Sequence, residues 1–485
     1  MPLSQTEYGA LDAATIALGV KDGSFSAREV TEAALERMGL TEPHIHAFCT
    51  PAPDLARRTA DAIDAARARG EDLGPLAGVP VGIKDLVATK DLVTAMGSKI
   101  YETFTPDEDD IVVERLKAAG AVIVGKTNVP EFGYSGVGHN PVFPTTRNPW
   151  DLAMTPGGSS AGSGASVAAG VTPFAIASDG GGSIRIPAAH CGLFGMKASM
   201  GRVPLYPGCR DSRLPGVSSW ETLEHIGPVS RSVADAALML SVISGPDMRD
   251  RHTIPQDFDW METLSGNLKG LRVAWSEDLG YMAVDPEVRK IASAAAQIFE
   301  TDLGCTLTAA DPGWDDPFAS FWGLVAADSD LAGMRAWLPE HAHEISPHLV
   351  GFLRTPFTAE DLTNANMARK TLVNRMASFM QGYDLLLTPT LSVPPFPVHM
   401  QGPEKIEGRM VPDTAWLGFT YPMNMTGQPA ATVPAGFTAT GLPVGLQIVG
   451  RHLDDSTVLR AAAAFEAARP WSGRRPPLLD TVLKD

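Results

Sequence analysis

The segment SDGGGSIRIP, residues 178–187, combines a serine with a backbone suited to acyl transfer. Ser183 follows Gly180, Gly181 and Gly182. Because glycine has no side chain, the N–H groups of this backbone can approach a carbonyl oxygen and form an oxyanion hole. A serine hydroxyl is nevertheless a weak nucleophile unless a base accepts its proton. The segment therefore predicts a nucleophile that needs a base from elsewhere in the chain.

The candidate base is a lysine, because His190 is the only histidine in the Gly/Ser-rich segments. Lys84 lies in GVPVGIKD, which has the apolar character of a buried strand. One interpretation is a buried ion pair, for example with Asp85. The other is a desolvated amine whose pKa falls from about 10.4 to about 7–8, as a general base requires. The residues alone leave both interpretations open.

The segment GAVIVGKT, residues 120–127, fits the phosphate-loop pattern G-x-x-x-x-G-K-[ST]. A phosphate loop needs a flexible turn at its x positions and a helix that begins at the lysine. Here the x positions are apolar and mostly β-branched, and NVPEFG follows directly. We therefore predict a core strand that leads into a wall of the active site, and no nucleotide binding.

Two further patterns carry no chemistry of their own. GSSAG, residues 158–162, fits the G-x-S-x-G nucleophile elbow around Ser160, but a loop rather than a strand precedes it. The pairs His44/His46 and His341/His343 have the spacing H-x-H, which on a helix directs the two rings to different faces. We interpret these histidines as surface or structural residues, and we expect neither a metal nor a cofactor.

Composition narrows the class of protein. The 485 residues include 39 Lys and Arg against 56 Asp and Glu, a net charge of −17, which disfavours direct binding to nucleic acid. Neither a signal peptide nor an apolar run long enough to span a membrane is evident. The four cysteines, Cys49, Cys191, Cys209 and Cys305, are scattered. We expect a reduced cytoplasmic protein that does not bind membranes.

Strand-like and helix-like segments alternate along the chain, which predicts an α/β fold with a large mixed sheet in a single domain, residues 1–485. Its N-terminal part, about 1–72, is predicted to be helical, and the catalytic core is expected at about 73–260. A variable segment at about 310–380 is expected on the substrate side. The apolar residues of this segment are more typical of helix core than of a substrate pocket: Phe321, Trp322, Leu331, Met334, Trp337 and Leu338.

The order of several motifs resembles that of the amidase signature family. These motifs are GVPVGIKD, GKTNVPEFG, NPW, TPGGSSAGSGA, SDGGGSIRIPAAHCG, GRVP, TGQPA and GLPVGLQIVG. The resemblance covers nearly the whole chain. It implies a mixed sheet covered by α-helices on both faces and a Ser–cis-Ser–Lys triad. Matched motif by motif, the triad falls on Lys84, Ser159 and Ser183, and its spacing 183 − 159 = 24 agrees with the family.

The resemblance also implies roles for neighbouring residues. The oxyanion donors fall on the backbone of Gly180, Gly181, Gly182 and Ser183. Asp179, Arg185 and Ser160 are expected to support the site from behind. Substrate contacts are expected at Tyr134, Ser135, Gly136 and Ile184. Relatives usually carry Thr or Ile at the position of Gly180 and often Thr at that of Ser178, so this chain has an additional glycine in the loop.

The resemblance implies a hydrolase of C–N amide bonds that works through an acyl-enzyme on Ser183. We favour a stand-alone enzyme for apolar or aryl amides, like aryl acylamidases and nylon-oligomer or urethane-type amidases, with esters or carbamates as side substrates. The alternative is the glutaminase component of a tRNA-dependent amidotransferase, which needs partner chains. A non-catalytic or nucleotide-binding protein is a remote alternative. The expected partners are a small-molecule amide and, as one option, a second copy in a homodimer.

Overall fold

The computed structural model of the protein describes residues 3–207, 214–217 and 220–483, so Cys209 lies outside the described residues. The described part of the chain contains thirteen strands: β1 (Phe48–Pro51), β2 (Pro80–Lys84), β3 (Val122–Thr127), β4 (Phe174–Ser178), β5 (Phe194–Lys197), β6 (Ile226–Ser230), β7 (Arg272–Trp275), β8 (Thr306–Ala309), β9 (Leu385–Pro389), β10 (Lys405–Ile406), β11 (Arg409–Met410), β12 (Ala430–Phe437) and β13 (Pro443–Gly450).

Seventeen α-helices accompany these strands in the same described ranges: α1 (Gln5–Ala10), α2 (Ala13–Asp22), α3 (Ala27–Ile45), α4 (Pro53–Ala68), α5 (Ile111–Ala118), α6 (Ala161–Ala168), α7 (Arg185–His190), α8 (Val233–Ile243), α9 (Pro286–Thr301), α10 (Phe318–Ala327), α11 (Leu331–Arg335), α12 (Leu338–His341), α13 (Pro347–Arg354), α14 (Ala359–Phe379), α15 (Tyr421–Thr426), α16 (Asp455–Ala468) and α17 (Pro477–Val482).

Eleven strands form one mixed sheet in the order β1-β3-β2-β4-β6-β5-β12-β13-β9-β7-β8, while β10 and β11 form a separate hairpin. Helices cover both faces of the large sheet, so the predicted α/β fold is confirmed. The central strands are buried along their whole length, as expected for strands covered on both sides. No helix among the described residues has both the length and the apolar character needed to cross a membrane.

Three neighbouring parallel strands bring the chemically interesting residues together. β2 lies between β3 and β4 and is parallel to both. Because the carboxyl ends of parallel strands meet at one edge of a sheet, Lys84 at the end of β2 and Ser178 at the end of β4 lie at the same edge. β6 is antiparallel to β4, and its first residue, Ile226, is paired with Ser178. The residues that precede β6 therefore also reach this edge.

Most of the predicted elements are confirmed. The predicted strands correspond to β2, β3, β4, β7, β8, β9, β12 and β13, and the helices predicted at 53–69 and 285–303 are α4 and α9. The capping box predicted at Ser26 and Glu29 caps α3, with both of its reciprocal hydrogen bonds present. The helices predicted across 321–381 are the five helices α10–α14.

Three strands were not predicted from the sequence: β1, β5 and β6. β5 and β6 contain Gly195, Gly227 and Pro228, residue types that are depleted in strands. Their strand conformation comes from their place in the sheet, since β6 pairs with β4 and β5 pairs with β12. Local sequence preference was therefore overridden by tertiary pairing.

The segment GAVIVGKT lies mostly in the fully buried strand β3, so the predicted core strand is confirmed. Lys126 does not begin a helix, and its amine donates to Thr89 Oγ1 at 3.1 Å and Thr94 Oγ1 at 2.9 Å inside the protein. A short 3₁₀ turn at Glu131–Gly133 follows the strand. This geometry has no turn of free N–H groups that could surround a phosphate.

Candidate active site

The side chain of Lys84 has no exposed surface, and its amine contacts hydroxyl and carbonyl oxygens. Nζ lies 2.7 Å from Ser159 Oγ, 2.7 Å from Ser178 Oγ and 3.1 Å from Ser178 O. The ion pair with Asp85 that the sequence left open is not formed. Asp85 instead lies 4.0 Å from the amine of Lys126.

The environment of Lys84 favours a neutral amine. Burial lowers the pKa of Lys84 to about 8, although the negative charges of Glu224 and Asp179 oppose this shift. About a tenth of a group with this pKa is unprotonated at pH 7, and about half is unprotonated at pH 8. The geometry therefore supports the interpretation of Lys84 as a desolvated base rather than as one half of an ion pair.

The two adjacent serines of the GGSS motif make different contacts. A cis peptide bond joins Gly158 to Ser159, as the resemblance implies. The hydroxyl of Ser159 contacts Lys84, whereas the hydroxyl of Ser160 donates to Ser178 O at 3.2 Å and accepts from Ser178 N at 3.3 Å. Ser160 also precedes α6 directly. Ser159 is therefore placed for proton transfer, and Ser160 ties the start of α6 to the end of β4.

Ser183 lies in the loop between β4 and α7 and is 9% exposed. It stands where two cavities meet. The inner cavity, of about 50 Å³, is lined by Leu86, Met96, Phe132, Gly133, Ser159, Ser178, Gly180, Ser183, Trp220 and Glu224, among others. The aromatic cavity, of about 390 Å³, is lined by Gly133, Tyr134, Ser183, Trp220, Phe318, Phe321, Trp322, Phe352, Phe357 and Tyr421, among others.

The backbone around Ser183 offers fewer oxyanion donors than the sequence predicts. The N–H of Gly182 donates to Asp179 Oδ1 at 2.7 Å and is not available to a substrate. The N–H groups of Gly180, Gly181 and Ser183 have no hydrogen-bond partner among the described residues. The predicted oxyanion hole is therefore corrected to these three donors, because the carboxylate of Asp179 already holds the fourth.

Asp179 and Arg185 hold the nucleophile loop in place from its buried side. The guanidinium donates to both carboxylate oxygens at 2.9 Å, and neither side chain is exposed. Burial raises the pKa of Asp179, but the charge of Arg185 outweighs it, and the resulting pKa lies well below its ordinary value. Asn424 Nδ2 donates to both Asp179 O and Asp179 Oδ1, and Arg185 also donates to Gln447 Oε1. These bonds connect the loop to α15 and β13.

The additional glycine at Gly180 has a steric reason. A Cβ atom built on Gly180 would lie 2.6 Å from the ring of Trp220. The indole therefore occupies the space that a side chain at this position would need. Trp220 lines both cavities and makes an edge-to-face contact with Tyr134 at 5.0 Å between ring centroids.

Of the four residues expected to contact substrate, three line the aromatic cavity: Tyr134, Ser135 and Gly136. The expectation for Ile184 is wrong. Its side chain is fully buried and packs in a core cluster with Ala175, Ala188 and Val229 beneath the nucleophile loop. The neighbouring isoleucine, Ile186, lines the cavity instead, because α7 begins here and turns the alternate side chain outward.

Several residues of the site were not identified from the sequence. Trp220 and Glu224 precede β6, and neither belongs to a recognisable spacing pattern. Thr420 Oγ1 donates to Gly181 O at 2.7 Å and fixes the loop from the opposite side. The interpretation of the aromatic segment was partly wrong. Met334 lies in the core, whereas Phe321 and Trp322 line the cavity. Among the described residues, no group of three or more His, Cys, Asp or Glu side chains has the geometry to hold a metal ion.

Comparison with known proteins agrees with this geometry. Residues 29–459 match the family described as Amidase. An acylamidase from Rhodococcus erythropolis is 40% identical over 477 residues, which are 96% of this chain and 97% of that protein. The glutamyl-tRNA(Gln) amidotransferase of Geobacillus thermodenitrificans has a component, its GatA-type chain, that is 36% identical, covering 93% of this chain and 96% of that protein.

Solved structures give the same answer. A bacterial aryl acylamidase of the amidase signature family has a TM-score of 0.90 and 30% identity, covering 98% of this chain and 99% of that chain. The 6-aminohexanoate cyclic dimer hydrolase has a TM-score of 0.86 and 30% identity, covering 97% and 99%. The chain therefore belongs to the amidase signature family and is a hydrolase that acts on amides.

Proposed function

We propose that this protein is a stand-alone hydrolase of amides with apolar or aromatic acyl groups, and that it works through an acyl-enzyme on Ser183. The observation that carries the proposal is the aromatic cavity, which ends at Ser183 and is walled largely by rings. Two of these rings, those of Phe321 and Tyr421, are stacked 5.0 Å apart. Such a surface favours apolar and aromatic groups over charged ones.

In the proposed reaction, Ser183 Oγ attacks the carbonyl carbon of the amide. Its proton passes to Ser159, whose own hydroxyl proton passes to the neutral amine of Lys84. The carbonyl oxygen becomes an oxyanion that the N–H groups of Gly180, Gly181 and Ser183 stabilise. Esters and carbamates carry the same carbonyl centre and are expected as side substrates.

The same relay orients the substrate. The leaving nitrogen must receive a proton from Ser159, which lines the inner cavity but not the aromatic cavity. The amine side of the amide therefore faces the inner cavity, and the acyl side extends past Ser183 into the aromatic cavity. After the amine has departed, a water molecule repeats the attack through the same relay and releases the acid.

The pH dependence follows from the requirement for a neutral Lys84. Since burial lowers its pKa to about 8, the protonated form dominates below this pH and blocks the relay. We expect kcat/KM to rise about tenfold per pH unit up to about pH 8 and then to level off. A pH–rate profile at low substrate concentration measures this limb. A rate that is flat from pH 5 to 9 would contradict the role of Lys84.

The two serines of the GGSS motif provide a matched pair of variants. Ser159→Ala should lower kcat by about 10³-fold, because it interrupts the relay between Ser183 and Lys84. Ser160→Ala removes hydrogen bonds to the backbone of Ser178 and should lower kcat by about tenfold at most. Steady-state kinetics of both variants on one amide make the comparison. Equal losses would contradict the assignment of Ser159 as the bridging residue.

The acyl preference is tested by amine release from the purified chain alone. The panel comprises acetamide, 3-phenylpropanamide, acyl anilides, an aryl carbamate and glutamine. We expect kcat/KM for 3-phenylpropanamide to exceed that for acetamide by about 100-fold, because the ring is buried in the aromatic cavity. Phe321→Ala should reduce this ratio by about tenfold while acetamide hydrolysis changes little.

Phe379→Ala is the control for this experiment. Phe379 contacts Tyr383 at the end of α14 and does not line the aromatic cavity. It should leave the ratio between the two amides unchanged. Turnover of glutamine alone would instead favour the glutaminase component of an amidotransferase, the alternative that the 36% identity with such a protein supports. A folded chain that is inactive on the whole panel would contradict a stand-alone hydrolase.

A further inference from the structure

Glu224 is a partly buried carboxylate that lines the inner cavity and has no role in the chemistry described above. It lies two residues before β6, at the point where β6 pairs with the end of β4. This pairing continues beyond the strands, because Asp179 N donates to His225 O at 2.7 Å and His225 N donates to Asp179 O at 3.1 Å. Glu224 therefore lies beside Ser178, at the edge of the sheet that carries the site.

We propose that Glu224 is a positioning residue that sets the direction of the hydrogen bonds around Lys84 by accepting the hydroxyl hydrogen of Ser178. The inference rests on the proposed function, since it concerns Lys84 as a neutral base. It assigns to Glu224 an effect on proton transfer without contact with the substrate.

The need for such a residue follows from counting hydrogens at Lys84. A neutral amine has two hydrogens and one lone pair, whereas three oxygens surround Nζ. The carbonyl oxygen of Ser178 can only accept, so it takes one hydrogen. Of the hydroxyls of Ser159 and Ser178, one must then accept the second hydrogen and the other must donate to the lone pair.

Only one of the two arrangements supports catalysis. When Ser159 donates to the lone pair, its proton is already directed to Lys84 and the relay from Ser183 is ready. When Ser178 donates instead, it occupies the lone pair, and Ser159 can only accept from the amine. The second arrangement leaves Ser183 without a path for its proton.

Glu224 favours the productive arrangement, because an ionised carboxylate can only accept hydrogen bonds. Burial raises the pKa of Glu224, and the charge of Lys84 and the hydrogen bond with Ser178 counteract this shift. Once the hydrogen of Ser178 is directed to Glu224, Ser178 Oγ must accept from Lys84. Ser159 is then the remaining donor to the lone pair.

The other charged groups near this network are already engaged. Asp179 is held by Arg185 in a buried ion pair. Asp110 precedes α5, where Oδ1 accepts from the N–H of Val112, and burial raises its pKa to about 8. Among the carboxylates around Ser178, Glu224 is therefore the one that can take its hydroxyl hydrogen.

The test compares Glu224→Gln, Ser178→Ala and the double variant by kcat, KM and the pH dependence of kcat/KM. Glu224→Gln should lower kcat about tenfold or more, with KM changed less than about twofold. It should also move the acid limb to lower pH, because the loss of a negative charge lowers the pKa of Lys84. In the double variant Ser178 can no longer occupy the lone pair, so kcat should recover to at least the value of Glu224→Gln alone.

Two results would overturn the inference. One is an unchanged kcat and acid limb in Glu224→Gln, and the other is a double variant whose losses multiply, as two independent structural defects would. If Glu224→Gln does not fold, Glu224→Asp replaces it, because it withdraws the carboxylate from Ser178 and should be relieved by Ser178→Ala in the same way. The wild-type rate on the amide panel tests the proposed function separately. An active wild type with a neutral Glu224→Gln contradicts this inference alone.

Discussion

Replacing Lys84 with alanine should lower kcat by about 10⁴-fold and leave the protein folded. The amine of Lys84 is the base of the proposed relay, and it contacts the bridging hydroxyl of Ser159 at 2.7 Å. Its removal also relieves the cost of holding an amine in a buried environment, so we expect little loss of stability. Amine release with the best amide of the panel measures the rate, and a thermal unfolding curve measures the stability.

Lys126 provides the control for this variant. It is also fully buried, burial also lowers its pKa to about 8, and it lies on the neighbouring strand β3. It lines neither the inner nor the aromatic cavity and pairs with Asp85. Lys126→Met should therefore destabilise the protein, because Asp85 loses its cation, but should keep kcat within about tenfold. Full activity in Lys84→Ala would contradict the relay.

Replacing Asp179 with alanine should destabilise the protein by about 3–5 kcal/mol and remove most of the activity. The variant leaves the guanidinium of Arg185 buried without its negative partner. It also releases the N–H of Gly182 and the side-chain bond from Asn424, so the loop that carries Ser183 loses its buried anchor. Urea unfolding measures the free energy of unfolding, and kcat on the same amide measures the activity.

An exposed ion pair serves as the comparison. Asp61 pairs with Arg28 at 2.9 Å, and their side chains are 59% and 40% exposed. Asp61→Ala should change the stability by less than about 1 kcal/mol and leave kcat unaltered. If Asp179→Ala were as mild as Asp61→Ala, the buried pair would not be the anchor of the nucleophile loop.

The central strands and the residues near Lys84 were predictable because their patterns are local. Apolar runs bounded by Gly and Pro identify β2, β3 and β4, and a lysine inside such a run is unusual enough to stand out. Chemistry alone left Lys84 undecided between a base and an ion pair. The structure adds the contact that the sequence does not contain, the 2.7 Å approach of Ser159 across 75 positions of the chain.

The residues that escaped prediction are those whose surroundings come from distant parts of the chain. Trp220 fills the space above Gly180, and Glu224 reaches Ser178 through the pairing of β6 with β4, a strand that local preferences do not predict. Ile184 was wrongly expected to contact substrate because adjacent residues of a short helix face opposite environments. The availability of the Gly182 N–H likewise depends on Asp179, whose orientation is fixed by Asn424 and Arg185.

The most direct test of the account is to locate the acyl group on the enzyme. The purified chain is mixed with an ester of 3-phenylpropanoic acid, quenched in acid within the first turnovers, digested and analysed by peptide mass spectrometry. The account predicts a mass increase of one acyl group on Ser183, absent in Ser183→Ala. Acylation of Ser160 or Cys191 instead, or rapid turnover with no covalent intermediate, would contradict it.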